Sequence, residues 1–124
     1  MKPRFVHLNL FAILVLAVVS SYASCILPVP DGGDTTPSPP NFEGIIVRVQ
    51  AGHITVRSTT RQLISIIMPP TQDAFTAFGG FVEQSALRPG QRAKVWFKDC
   101  KVPTRGSPVS AYFQIFSKDP NDVP

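Results

Sequence analysis

The chain is 124 residues long, 44% hydrophobic and 16% charged, with a formal net charge of +4 and two cysteines. A length of this order holds one domain and excludes a large enzyme, a multidomain protein and a polytopic membrane protein. Lys2 and Arg4 supply two of the excess charges and lie ahead of a long apolar run, so neither the charge nor the hydropathy total describes the part that folds.

Residues Met1 to His7 are a basic opening, Leu8 to Val19 an almost unbroken apolar run, and Ser20 to Cys25 a stretch of mostly small residues. The apolar run is well short of the roughly 20 residues that span a bilayer, so residues 1–24 read as an export signal. A cytosolic factor is thereby excluded. Two processing chemistries fit the junction. Ser21-Tyr22-Ala23 suits cleavage after Ala23 and free secretion. Ala23-Ser24-Cys25 resembles the end of a bacterial lipobox, with Tyr22 where that motif carries Leu, and makes Cys25 a lipid-attachment site and the protein a membrane-anchored lipoprotein facing the periplasm.

Residues 25–41 form a spacer. Pro28, Pro30, Pro37, Pro39 and Pro40, with Asp31, Gly32, Gly33 and Asp34, leave too little apolar surface to offset the ordering entropy, which predicts an extended, partly disordered tether. Cys100 is the only other cysteine. With Cys25 lipidated it is a lone thiol; with cleavage after Ala23 both cysteines enter an oxidising compartment and can form a Cys25–Cys100 disulfide.

From Phe42 the chain reads as short strands. Ile45, Val47 and Val49 alternate with Ile46, Arg48 and Gln50. After Ala51-Gly52, Ile54 and Val56 alternate with His53, Thr55 and Arg57, so the two runs make a hairpin. Ser58 to Arg61 is the next turn. A third strand, Gln62 to Met68, sets Ile64, Ile66 and Met68 against Leu63, Ser65 and Ile67, and Pro69-Pro70 ends it. Thr71 as N-cap, Asp73, Phe75, Phe78 and a Gly79-Gly80 stop predict a two-turn helix; Phe81 and Val82 add a short strand piece.

Arg88-Pro89-Gly90-Gln91 is the sequence of a type II turn, with φ preset by proline and then positive at glycine. It launches Ala93, Val95 and Phe97 inward and Arg92, Lys94, Trp96 and Lys98 outward. After the loop Pro103 to Pro108, the last strand is expected to bury Val109, Ala111, Phe113 and Ile115, with Tyr112, Gln114 and Phe116 opposite. Residues 119–124 are an acidic tail. The predicted fold for residues 42–118 is mainly β: a small five-stranded OB-like Greek-key barrel with one short helix. An SH3-like barrel or an incomplete sandwich is the alternative.

Gly44-Ile45-Ile46, Ile54-Thr55-Val56 and Leu87-Arg88-Pro89-Gly90-Gln91-Arg92-Ala93-Lys94-Val95 together resemble a family of short exported bacterial domains of unknown function, over roughly Gly44 to Phe97. The resemblance implies an envelope location and a non-catalytic OB-like barrel, and it brings no active site to carry over.

Between Phe42 and Ser117, nine basic residues (Arg48, Arg57, Arg61, Arg88, Arg92, Lys94, Lys98, Lys101, Arg105) face four acidic ones (Glu43, Asp73, Glu83, Asp99). Arg57 and Arg61 lie on the second strand and its turn, and Lys101 and Arg105 on the loop joining the last two strands, elements that border the ligand face of OB barrels. With Trp96, Tyr112 and Phe116 on outward positions, the pattern predicts a basic, aromatic-lined surface. Arg57, Arg61, Trp96, Lys101, Arg105 and Tyr112 are its candidate contacts, acting by charge neutralisation and stacking on an anionic polymer. Outside the cytoplasm that class includes lipopolysaccharide, acidic glycans and extracellular DNA. Against this stands the reading in which the arginines are a solvated face and the aromatics pack beneath the spacer or belong to a second small core. The competing function is a structural accessory that meets an envelope protein through an exposed strand edge or the Trp96 face.

No serine-centred elbow, Gly-rich phosphate loop or paired-carboxylate motif occurs, and the chain reads as non-catalytic, without cofactor. His53, on the polar face of the second strand, reads as a solvated histidine rather than a base or a metal ligand.

Overall fold

The computed structural model describes residues 25–29 and 35–124; the export-signal reading of residues 1–24 lies outside them. The chain is mainly β. Among the described residues seven strands, β1 (Phe42–Gln50), β2 (His53–Arg57), β3 (Leu63–Ile67), β4 (Ala74–Thr76), β5 (Phe81–Val82), β6 (Arg92–Phe97) and β7 (Ser110–Ile115), form one mixed sheet. Their order is β3-β2-β1-β6-β7-β4-β5. Every neighbouring pair is antiparallel except β4 with β7. The β3 edge curls back only as far as an isolated parallel bridge between Ile67 and Val109, so among the described residues no ladder closes the sheet.

The count of seven rather than five comes from two short strands. The segment expected as a helix is instead β4, which pairs Phe75 with Gln114 and Thr76 with Ile115 on one side, and Phe75 with Phe81 on the other. A two-turn helix has little stability of its own. The extended form lets Phe75 stack on Tyr112, ring centroids 4.8 Å apart and planes 8° from parallel. Helical structure among the described residues is a single 3-10 turn at Gln84–Ala86.

The core is built where strand alternation holds. Ile54, Val56, Ile66 and Met68 from β2 and from β3 and its end, and Ala93, Val95 and Phe97 from β6, are buried as their spacing predicts. Gly90 takes φ 95°, and the Gln91 N–H donates to the Arg88 carbonyl at 3.4 Å, as the type II turn requires. Gln91 itself is buried, donating to the Lys118 carbonyl at 3.1 Å and accepting from the Arg88 N–H at 2.8 Å.

Two bulges break the alternation. In β1, Ile46 pairs with Val56 but Arg48 pairs with Thr55, leaving Val47 as the extra residue. Strict alternation would put Ile46, Arg48 and Gln50 on one face. The bulge instead lets Ile46 bury fully and Val49 pack on the same core, while Arg48 and Gln50 stay exposed. In β7, Tyr112 faces Trp96 and Ser110 faces Phe97, so Ala111 is skipped. Ser110, Tyr112, Phe113 and Ile115 are therefore the buried positions, and Val109 and Ala111 are only half-buried.

The described part of the Pro-rich segment is packed, not free. Cys25 is disulfide-bonded to Cys100, Cα atoms 5.6 Å apart. Ile26 and Ser38 exchange backbone and side-chain hydrogen bonds. Asn41 then docks on the end of β6, its side chain accepting from the Phe97 N–H at 2.9 Å and donating to the Cys100 carbonyl at 2.8 Å. Among the described residues no helix is long and apolar enough to cross a membrane.

Candidate functional site

Register across three strands decides where the cations meet. Ile45 of β1 pairs with Arg57 of β2 on one side and with Arg92 of β6 on the other, which sets the two arginines in one row across the sheet. The Ser58–Arg61 turn follows β2 directly. Gly44 makes the close approach feasible, because a Cβ there would overlap the Arg57 carbonyl group. The result is a cleft lined by Gly44, Ile45, Arg57, Ser58, Thr59, Arg61 and Arg92, which carries three guanidinium groups and, among the described residues, no carboxylate. Arg61 holds φ 64°, the left-handed region that costs a non-glycine residue about 1 kcal/mol.

This cleft continues into a second, of about 320 Å³, which shares Gly44, Thr59 and Arg92 with it and adds Glu43, Lys94, Gln114 and Phe116 among its walls. Glu43 is the cross-strand partner of Lys94. The second cleft in turn shares Ala77 and Gln114 with a third, walled by Phe75, Phe78, Phe81 and Tyr112 and by Pro28 and Val29 of the N-terminal segment. One track therefore runs from Arg61, through Arg92 and Lys94, to a cluster of aromatic rings.

The expected contacts are redistributed by this geometry. Arg57 and Arg61 are together and exposed. Lys101 and Arg105 lie on the β6–β7 loop, outside the three clefts. Trp96, expected on the ligand-facing surface, is 3% exposed: its indole N–H donates to the Ser38 carbonyl at 2.8 Å, and its ring lies edge-on to Tyr112 at 5.5 Å. Tyr112 is 7% exposed, sandwiched into the same stack and contributing only a wall to the aromatic cleft. The N-terminal segment covers these rings, so they form a second small core. Arg92 and Lys94 take the place of the displaced cations. Their outward position is legible from the β6 alternation, but their meeting with Arg57 requires that β1 pair with both β2 and β6.

Burial raises the Tyr112 phenol above the ordinary tyrosine value of 10.0. The unfolded chain then ionises first, so the stabilising contribution is complete below about pH 10 and is lost as pH rises through the folded value. Thermal melts at increasing alkaline pH are expected to show a drop that Tyr112→Phe flattens.

His53 is exposed at the start of β2, and no group of three or more His, Cys, Asp or Glu is placed to hold a metal among the described residues. Comparison with family models, curated proteins and solved structures gives no match to this chain.

Proposed function

We propose that this chain is an exported, non-catalytic OB-like module of the cell envelope that binds an anionic polymer along the arginine-lined track. The observation that carries this reading is the convergence of Arg57, Arg61 and Arg92 over Gly44, with Lys94 continuing the same line. Four side-chain cations against one side-chain carboxylate, Glu43, give the track a field that concentrates polyanions. The left-handed backbone of Arg61 supports a role for that side chain, since glycine or asparagine would hold the turn at lower cost.

The OB-like assignment draws support from the order of the five longer strands, β3-β2-β1-β6-β7, and from the parallel bridge that brings the end of β3 beside the start of β7. The resemblance over Gly44 to Phe97 points the same way. For the N-terminus, the disulfide favours cleavage after Ala23 over lipidation, because a Cys25 sulfur bonded to Cys100 has no valence left for a thioether. A disulfide also suits an oxidising, extracytoplasmic compartment.

Heparin retention tests the binding reading. The protein is expected to bind at low ionic strength and to elute with salt, and R57A/R61A/R92A is expected to lower affinity at least about tenfold with a shallower salt dependence. No retention of the unaltered protein at low salt would sink it. The second reading, a protein partner added along a sheet edge, is favoured by Leu63 on the edge strand β3, which is 62% exposed. Such a contact would persist in salt that abolishes polyanion binding.

A further inference from the structure

The aromatic end of the track is unexplained by anion binding alone. Phe78 and Phe81 are 77% and 63% exposed. Phe78 stands at the tip of the β4–β5 hairpin, which is closed by the Thr76 N–H on the Gly80 carbonyl at 2.8 Å and the Gly80 N–H on the Thr76 hydroxyl at 2.9 Å. Gly79 supplies the positive φ, 91°, that this turn needs. The rings behind are already engaged: Phe75 is stacked on Tyr112, and Phe116 meets Phe78 edge-on at 5.2 Å. Phe78, backed by Phe116, and Phe81 thus present apolar surface to water in one cleft, which is continuous with the basic clefts through Ala77 and Gln114. A single exposed ring needs no explanation, whereas a contiguous aromatic patch at the end of a charged track does.

We propose that this patch is a sugar-stacking subsite, and that the ligand is an acidic polysaccharide in which charged and uncharged sugar units alternate. The inference rests on the anion-binding reading of the same track. Charge complementarity selects among polyanions. None of the described residues lining the aromatic cleft is cationic. A nucleic acid carries a phosphate at every nucleotide and would lie there unneutralised, losing the charge compensation on which its affinity depends. A polymer sulfated on every sugar has the same defect. An uncharged sugar instead lays its apolar C–H face on Phe78 or Phe81, while the neighbouring acidic unit reaches Lys94 and Arg92. Gln114, at the junction of the two clefts, offers an amide to the sugar hydroxyls between them. An acyl chain would need an enclosed cavity, and these rings stand on an open hairpin.

The test titrates the full chain with a hyaluronan oligosaccharide, with heparin and with oligo-dT of matching length. F78S/F81S is expected to weaken hyaluronan binding about tenfold while changing heparin binding less than about twofold, as loss of ring stacking without loss of charge predicts. R57A/R61A/R92A is expected to weaken both. Both side chains replaced in F78S/F81S are exposed, and an unchanged thermal melt verifies that the fold is kept. Equal hyaluronan affinity of F78S/F81S and the unaltered protein overturns the subsite. So does heparin binding by a protein that ignores hyaluronan, or oligo-dT binding that depends on Phe78 and Phe81 more strongly than hyaluronan binding does. Failure to bind any of the three at low salt defeats the anion-binding reading itself.

Discussion

Removing the Cys25–Cys100 bond in C25S/C100S is expected to lower stability by about 3–4 kcal/mol and to shift the Trp96 emission to the red. The bridge spans a sequence separation of 75 residues. In the chain-entropy account, releasing a loop of that size returns about 4 kcal/mol of conformational freedom to the unfolded state. Part of that loss would be offset by relaxation, but a domain this small has little other burial to draw on. By the size scaling of unfolding entropy, the melting temperature should fall by about ten degrees or more. The fluorescence change separates a general loss of stability from a local one. Trp96 is buried because the N-terminal segment lies over it, held by the bond from its indole to Ser38 and by the disulfide at the segment's start. Freed from Cys100, that segment should leave the indole and Tyr112 in contact with water at temperatures where the sheet is still folded. An unchanged melt and an unchanged emission would show that the Ser38 and Asn41 contacts suffice. Intact mass of the exported protein gives the companion measurement: two hydrogens below the dithiol form with an N-terminus at Ser24 is the expected result, and an acylated Cys25 would contradict it.

Gly44→Ala is expected to cost about 3 kcal/mol and to weaken heparin binding without removing a single charge. A methyl group at position 44 meets the carbonyl of Arg57 and the N–H of Ser58, which are backbone atoms and cannot swing aside as a side-chain tip can. Either the β1–β2 pairing between Ile45 and Arg57 opens, or the Ser58–Arg61 turn moves off the sheet. Overpacking of this kind costs about 1–3 kcal/mol, and a clash against fixed backbone belongs at the upper end. Both escape routes displace Arg57 and Arg61 from Arg92, so affinity should fall together with stability. Gly106→Ala is the contrasting variant. Gly106 has φ 75° with nothing near its would-be Cβ, so the change costs about 1 kcal/mol of backbone strain and leaves binding intact. Equal effects of the two substitutions on heparin affinity would argue that the cleft above Gly44 is not where the polymer sits.

Local chemistry was legible in the sequence wherever one residue or one strand suffices to decide it. Pro89-Gly90 announces its turn because φ at those two positions is a property of the residues themselves. The inward sets Ile54–Val56, Ile66–Met68 with half-buried Ile64 beside them, and Ala93–Val95–Phe97 follow from period-two alternation in strands without irregularity. Alternation failed at Val47 and Ala111, since a bulge is a property of a strand pair and each changes which of its neighbours is buried. The segment around Phe75 has helix-like spacing, and only its ladder partners in β5 and β7 make it a strand.

The candidate site divides along the same line. Arg57, Arg61, Arg92 and Lys94 are each readable as outward-facing cations, because alternation and the Ser58–Arg61 turn assign them to the polar side. That three of them share one cleft while Lys101 and Arg105 stand apart was decided by β1 pairing on both edges and by the absence of a side chain at Gly44. Parity placed Trp96 on the outward face of β6 but left two environments open, a ligand-facing surface or packing beneath the N-terminal segment, and the structure shows the second. Face is a local consequence of parity, whereas burial depends on what else the chain lays over that face, and here a segment more than 50 residues earlier, Ser38 with Cys25 beyond it, covers the indole. The amino-acid sequence by itself therefore determined the longer strands, the turns between them and the sign of the surface charge. The tertiary structure alone decided which cations meet and which aromatic rings are left in water, because long-range register and overlying segments bring together residues between which no local rule operates.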